Sequence, residues 1–190
     1  MTQRRTDRWL AGVLVALALA ASGCTDTAKP KPLPSTGPAP SASRSASASP
    51  TPPVLPEAAK GTSAASAKAF ARFYIDSINF AARTGKTTSL ATLGTTGCES
   101  CSAIQKNIER VYDAGGNIRS SGWRLTTIAV VPAQPKQRPI LDLGVLQPSE
   151  VVKQTSTGPI KRYKGGRQPM TMHLRWTHSD WSVERLDLVS

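Results

Sequence analysis

Two of the three cysteines in this 190-residue chain have a spacing that supports thiol chemistry. Cys98 and Cys101 form a C-x-x-C motif, in which a helix N-terminus lowers the pKa of the first thiol and favours attack on a partner disulfide. A redox centre of this kind normally accompanies a β-α-β pattern, and no strand is predicted before this motif. We therefore expect a structural disulfide at the start of a helix, with thiol–disulfide exchange as the alternative.

The remaining cysteine, Cys24, follows a segment typical of export signals. Three arginines precede a twelve-residue apolar run at 10–21, which is shorter than the roughly 20 residues of a membrane-spanning helix. Residues 21–24, Ala-Ser-Gly-Cys, resemble the lipobox of bacterial lipoproteins, where the cysteine is acylated and becomes the new N-terminus. We expect 1–23 to be a lipoprotein signal peptide and Cys24 a palmitate-type anchor on the extracytoplasmic face of the cell membrane. The alternative is an ordinary secretory signal that leaves a free thiol.

The segment after Cys24 has the composition of an unfolded tether. Residues 25–56 contain nine of the fifteen prolines and no aromatic side chain. Such a segment cannot bury enough apolar surface to offset the entropy lost on ordering. We expect residues 24–56 to be a disordered tether and residues 57–190 to be a single domain, whose length is sufficient for a core without a metal.

Within this domain, helical patterns precede strand patterns. Apolar residues at three- and four-residue spacing predict a helix between Thr62 and Gly85, a short helix at 89–93 and a third that begins near Glu99. Beyond Trp123 the residues alternate with a period of two. The predicted strands are 123–131, 140–147, 150–155, 170–177 and 181–189. Helices followed by antiparallel strands define an α+β fold.

Several short motifs are distributed over this domain. They are 54–58, 69–74, 79–80, 97–101, 112–116 and 181–183. Together they resemble an uncharacterised lipoprotein domain family of high-GC Gram-positive bacteria, over roughly residues 54–190. The resemblance implies a cone of helices packed on a curved antiparallel sheet, similar to the nuclear-transport-factor-2-like or SnoaL-like class. It implies no activity.

The chain is strongly basic, with a formal net charge of +12. Four cations, Lys161, Arg162, Lys164 and Arg167, surround one tyrosine in a segment that we predict to be a hairpin loop. Such clusters bind anions, and an exported protein meets anionic wall polymers and lipid head groups rather than nucleic acid. The alternative is a solvated loop without a partner.

Other chemistry has weaker support. Asp142 lies between apolar strand residues, where burial would raise its pKa and suit a general base, although an outward-facing strand position is the simpler interpretation. His173 and His178 would complete a Cys2His2 set with the cysteine pair. Two positions five apart on a strand point to opposite faces, so we expect no metal. The Thr-Gly-Lys-Thr-Thr segment at 84–88 lacks the first glycine and the preceding strand of a phosphate loop.

These observations favour a lipid-anchored envelope protein whose domain binds or scaffolds without catalysis, with no cofactor and an unidentified ligand. The alternatives are a cofactor-independent, SnoaL-like enzyme that uses a pocket acid, and an envelope thiol–disulfide protein.

Overall fold

The computed structural model of this protein describes residues 50–189. The predicted signal peptide, the anchor Cys24 and most of the predicted tether lie outside the described residues. Within the described part, no helix combines the length and the apolar character needed to cross a bilayer.

The first long helix, α1 (Ala64–Thr84), has a defined start and stop. At its start, the Ser63 side chain accepts a hydrogen bond from the Ser66 N–H at 3.0 Å, which satisfies one of the free amides of the first turn. At its end, Gly85 has a φ of 73°, a left-handed conformation that glycine adopts without strain. A Cβ on Gly85 would lie 2.5 Å from the Tyr112 ring, so this helix end also requires the missing side chain.

Two further helices follow, α2 (Thr88–Ala91) and α3 (Glu99–Asp113). Cys98 is the N-cap of α3, and Gly115 follows its C-terminus with a φ of 73°. A 3-10 turn, Glu57–Ala59, precedes the three helices. The three predicted helices are therefore confirmed, and α1 and α3 are each followed by a glycine with a positive φ.

Seven strands follow α3 in the chain, all paired in antiparallel fashion. They are β1 (Asn117–Arg119), β2 (Arg124–Val130), β3 (Ile140–Gln147), β4 (Glu150–Lys153), β5 (Ile160–Tyr163), β6 (Gly166–Thr177) and β7 (Asp180–Leu188). Four of them form the large sheet, in the order β2-β3-β6-β7, and three form the small sheet, in the order β1-β4-β5. The five predicted strands are present, while β1 and β5 were not predicted and β6 begins four residues earlier than expected.

The two sheets are connected through one long bent hairpin. β3 continues into β4 after Pro148 and Ser149, and β5 continues into β6 after Lys164 and Gly165. A Cβ on Gly165 would lie 2.5 Å from the Gln147 carbonyl oxygen, so the two chains can cross this closely only because the position is glycine. The predicted α+β fold, with helices packed on a curved antiparallel sheet, is confirmed.

The hydrophobic core lies between α1 and the large sheet. From α1, Phe70 and Tyr74 are almost fully buried, and from β3, Leu141 and Leu143 face them as alternate residues of the strand. Leu55, which lies in the segment predicted as tether, is half-buried and packs against this core.

Candidate functional site

A cavity of about 400 Å³ opens between α1, α3 and the small sheet. Its walls are mainly apolar because each helix presents residues three or four apart towards it. Examples are Ile78 and Ala82 from α1, Ile104 and Val111 from α3, and Ile118 and Val152 from the small sheet.

One wall of the cavity is held in place by Asn79. Its side-chain amide donates to the Trp123 carbonyl at 2.9 Å, and its carbonyl oxygen accepts the Trp123 N–H at 2.7 Å. Between β1 and β2, Gly122 is buried with a φ of 87°, and a Cβ there would lie 3.0 Å from the Asn79 Cγ. Asn79 thus fixes the connection that places the Trp123 ring at the cavity. Sequence reasoning included Asn79 only within a family motif and gave it no role.

The acidic residue of the cavity is Glu150, the first residue of β4. It is half-buried, and burial raises the pKa of its carboxyl. Burial also raises the pKa of Tyr112, and the negative charge of Glu150 raises it further. The Tyr112 hydroxyl donates a hydrogen bond to the Ala82 carbonyl at 2.7 Å. Sequence reasoning missed Glu150, although alternation along β4 places it on the same face as the buried Val152.

Basic and amide side chains complete the lining. Arg83, Asn107 and Arg110 belong to it and are exposed, and Tyr163 lies directly opposite Glu150 across the β4–β5 ladder. The cavity therefore has an apolar interior with one partly desolvated carboxyl and an exposed cationic edge. Such an arrangement can hold a mainly apolar molecule and orient its polar end.

Cys98 and Cys101 are joined in a disulfide, as predicted. Cys98 is 1% exposed and Cys101 9% exposed, so neither sulfur faces solvent in the way that exchange with a partner protein requires. The Cys98 Sγ accepts the Cys101 N–H at 3.2 Å, which caps α3. Between them, Ser100 accepts the Leu186 N–H through its Oγ at 3.1 Å, so the disulfide segment is attached to β7.

The prediction of a basic hairpin loop is wrong. Lys161 and Arg162 lie in β5, Arg167 lies in β6, and only Lys164 lies in the turn between them. The charges and glycines suggested a loop, but charged side chains are also typical of an edge strand, where they prevent pairing with other chains. β5 is such an edge strand.

The structure places Asp142 on the outward face of β3. It is exposed and accepts a hydrogen bond from the Thr171 hydroxyl at 3.2 Å. The simpler interpretation of Asp142 is therefore confirmed, and the acid in the cavity is Glu150 instead.

The two histidines are separate from the cysteines. The His173 Nε2 lies 2.9 Å from an Arg185 nitrogen and 3.3 Å from an Asp187 oxygen. His178 occupies the β6–β7 turn with a φ of 52°. Among residues 50–189, no three His, Cys, Asp or Glu side chains converge as a metal site.

The fold and this site define an α+β domain with a cavity between its helices and a curved antiparallel sheet. Residues 40–187 match the model of DUF6318, a family of unknown function, and the chain belongs to this family. No curated protein matches the chain.

Several solved structures are similar to this chain. One is the intermembrane space region of the chloroplast protein ARC6, with a TM-score of 0.48 and 8% identity over 67% of this chain and 97% of that one. Another is a protein named Rd1NTF2_05, with a TM-score of 0.41 and 12% identity over 65% and 99%. A third is an uncharacterised protein with a cystatin-like fold from Caulobacter vibrioides, with a TM-score of 0.42 and 11% identity over 63% and 87%.

Proposed function

We propose that this protein is a lipid-anchored protein of the cell envelope whose domain binds a small, mainly apolar ligand without transforming it. The observation that carries the ligand-binding part is the cavity between α1, α3 and the small sheet. Its volume of about 400 Å³ is in the range of small-molecule sites. Its walls combine aliphatic side chains with few polar groups, which is the pattern that holds and orients such ligands.

The envelope location is supported by two features of the chain. Residues 21–24 resemble a lipobox, so acylated Cys24 would hold the protein on the extracytoplasmic face of the membrane. The disulfide between Cys98 and Cys101 supports folding in an oxidising compartment, because cytoplasmic proteins rarely keep such bonds.

Substituting Cys24 tests the anchor. The chain with its native N-terminus should partition with membranes and carry a diacyl modification detectable by mass spectrometry, since two acyl chains give stable anchoring. The Cys24→Ser chain should lack the modification. An unmodified Cys24 in the mature wild-type protein would contradict the lipid anchor and leave the secretory alternative.

Ligand binding is tested with a neutral apolar fluorophore, N-phenyl-1-naphthylamine, titrated into the purified protein. Ala82 lines the cavity, so Ala82→Phe should fill part of it and weaken binding at least tenfold. Ala65 lies on the exposed side of the same helix, and Ala65→Phe is the matched control. Equal affinities for the two variants would place the fluorophore elsewhere and contradict a ligand site in this cavity.

A second candidate function is a cofactor-independent reaction with Glu150 as general base. The observation that favours it is the raised pKa of this half-buried carboxyl in the cavity wall, because a base poised nearer neutrality transfers protons more effectively. An envelope extract incubated with the protein in deuterated water tests this function. A base acting on a carbon acid would introduce deuterium into one extract component with wild type and not with Glu150→Gln, whereas a binder would introduce none.

A further inference from the structure

The register of the small sheet brings three cations together on one face. Val152 lines the cavity, so its neighbours Val151 and Lys153 point to the opposite face of the sheet. Arg119 and Arg162 lie directly opposite Val151, one on each side, and directly opposed residues share a face. Lys153 lies diagonally across from Arg119 and from Arg162, with roughly 7–8 Å between the two residues of each pair. We call this surface, formed by Arg119, Val151, Lys153 and Arg162, the cationic face.

Within the described residues, no carboxylate forms an ion pair with the cationic face. The acidic residue of the small sheet, Glu150, lies in the cavity wall on the other side. Arg119 and Arg162 are exposed, and no ion pair within residues 50–189 includes any of the three cations. Like charges on neighbouring strands disfavour the sheet, and an anionic surface placed against them would relieve that repulsion.

An apolar side chain beside the cations favours a bilayer over a soluble polyanion. Ile160 lies directly opposite Lys153, on the same face of the sheet, and is 58% exposed. A soluble polymer of phosphate groups has no apolar surface against which an exposed isoleucine could be buried. The interface of a bilayer offers both phosphates and an apolar boundary, in which basic and apolar side chains bind side by side.

The tether enters the domain near the small sheet. Pro52, at the start of the described chain, lines the same shallow cleft as Asp113, the last residue of α3. The β4–β5 connection contacts this end of α3, since the Ser156 N–H donates to the Ala114 carbonyl at 3.1 Å. Twenty-five residues separate Cys24 from the described chain, so the connection can reach at most roughly 90 Å. An anchor on Cys24 would therefore keep this end of the domain within that distance of the bilayer.

We propose that the cationic face binds the anionic phospholipid head groups of the membrane in which the protein is anchored. The guanidinium groups of Arg119 and Arg162 would donate hydrogen bonds to phosphate oxygens, and Ile160 would enter the interface. This inference rests on the membrane location in the proposed function and names a second contact with that membrane. A weak contact suffices, because the tether gives the domain a high effective concentration at the surface.

Vesicle sedimentation tests the cationic face. The fragment 50–190 contains every residue of the core described within 50–189, so we expect it to fold without the anchor, and its binding does not depend on acylation. It should bind phosphatidylglycerol vesicles in 0.1 M salt and not phosphatidylcholine vesicles. Replacing Arg119, Lys153 and Arg162 with Gln should lower the partition coefficient about 100-fold, because each cation near an anionic surface contributes about fivefold.

A matched control separates the effect of the cationic face from the effect of the net charge of the domain. Arg72, Lys106 and Lys136 are exposed on α1, on α3 and in the β2–β3 connection. Replacing these three with Gln removes the same charge from scattered positions. Because charges beyond about 10 Å are largely screened at this salt concentration, this variant should bind within about threefold of wild type. An equal loss in both triple variants would reduce the effect to net charge and overturn the proposal.

Ile160 distinguishes a bilayer from a polymer. Ile160→Ser should weaken binding to phosphatidylglycerol vesicles and leave binding to soluble polyphosphate unchanged. A fragment that binds polyphosphate but not vesicles would overturn the proposal in favour of an anionic wall polymer. A fragment that binds neither would overturn it altogether. An unacylated Cys24 would instead contradict the anchor while leaving these measurements valid, so the two failures are distinguishable.

Discussion

At the scale of single residues, the side chains that organise the cavity are polar. Asn79 makes two hydrogen bonds to the backbone of one residue, Trp123, across a sequence separation of 44. Its contribution depends on that distant partner, so no local pattern around position 79 reveals it. The same holds for Glu150, whose partial burial arises when residues far along the chain pack beside it.

Removing the Asn79 amide should destabilise the domain. Asn79→Ala leaves the Trp123 N–H and carbonyl without these partners, which costs about 1–3 kcal/mol for a buried unsatisfied group. Urea unfolding should show this loss of unfolding free energy. The control Asn107→Ala, on the exposed edge of the same cavity, should change the unfolding free energy by less than about 0.5 kcal/mol. Equal changes in the two variants would contradict the role of Asn79 as a clamp.

Glu150 predicts a pH dependence of stability. Its folded-state pKa is raised by burial, so the folded state holds this proton more tightly than the unfolded state. The protonated carboxyl therefore makes its full contribution to the free energy of unfolding below its unfolded-state pKa. This contribution is lost as the pH rises through the folded-state pKa. Glu150→Gln should gain unfolding free energy relative to wild type as pH rises from 3 to 7. A difference that stays constant or shrinks with rising pH would contradict the desolvation of this carboxyl.

At the scale of elements, sequence patterns located the long helices and strands and also the short α2 and β4, and missed β1 and β5. α1 has 21 residues and β3 has eight, so each repeats its apolar period often enough to be recognised. β1 has three residues, which is too short for a period, and β5 has no buried face. All four residues of β5 are exposed, so this strand is specified by pairing with β4 and not by its own pattern of burial.

Alanine substitutions at three glycines near the ends of helices should distinguish the effect of backbone strain from the effect of a steric clash. Gly85 has a positive φ and a close neighbour, the Tyr112 ring; Gly61 has a φ of 85° with nothing within 4 Å; Gly97 has neither constraint. Alanine should therefore have little effect at Gly97, cost about 1–2 kcal/mol at Gly61 from strain alone, and cost at least about 2 kcal/mol more at Gly85 than at Gly97. Thermal unfolding of the three variants checks the order. A Gly85→Ala protein as stable as Gly97→Ala would contradict the described helix end.

At the scale of the whole molecule, the domain begins earlier than composition suggests. Leu55 packs against the core while its neighbour Val54 is 84% exposed. Proline-rich composition predicts disorder on average, but a single apolar residue that reaches the core can order its neighbours. The overall class, helices followed by antiparallel strands, was predictable because its long elements are periodic, whereas the curvature of the sheet was implied by the family resemblance. The residues that line the cavity were not predictable, because they depend on how the small sheet is placed relative to α3.

Truncating Leu55 should measure how much this segment contributes. Leu55→Ala should lower the unfolding free energy by about 1 kcal/mol, since full burial of a leucine is worth about 1.5–3 kcal/mol and this residue is half-buried. Val54→Ala is the matched control and should have no measurable effect. Equal stabilities in chemical denaturation would show that residues before 57 do not support the fold.

The bent hairpin has an evolutionary consequence. Beyond the bend at Pro148 and Gly165, the small sheet supplies no buried residue to the core cluster, although it closes one wall of the cavity. Val152 of this sheet is 4% exposed and Ile118 packs against the core, but mutations at its other positions can alter the size and polarity of the cavity without removing a buried side chain. Under the proposed ligand-binding function, members of this family can therefore differ in their ligands while keeping the same scaffold.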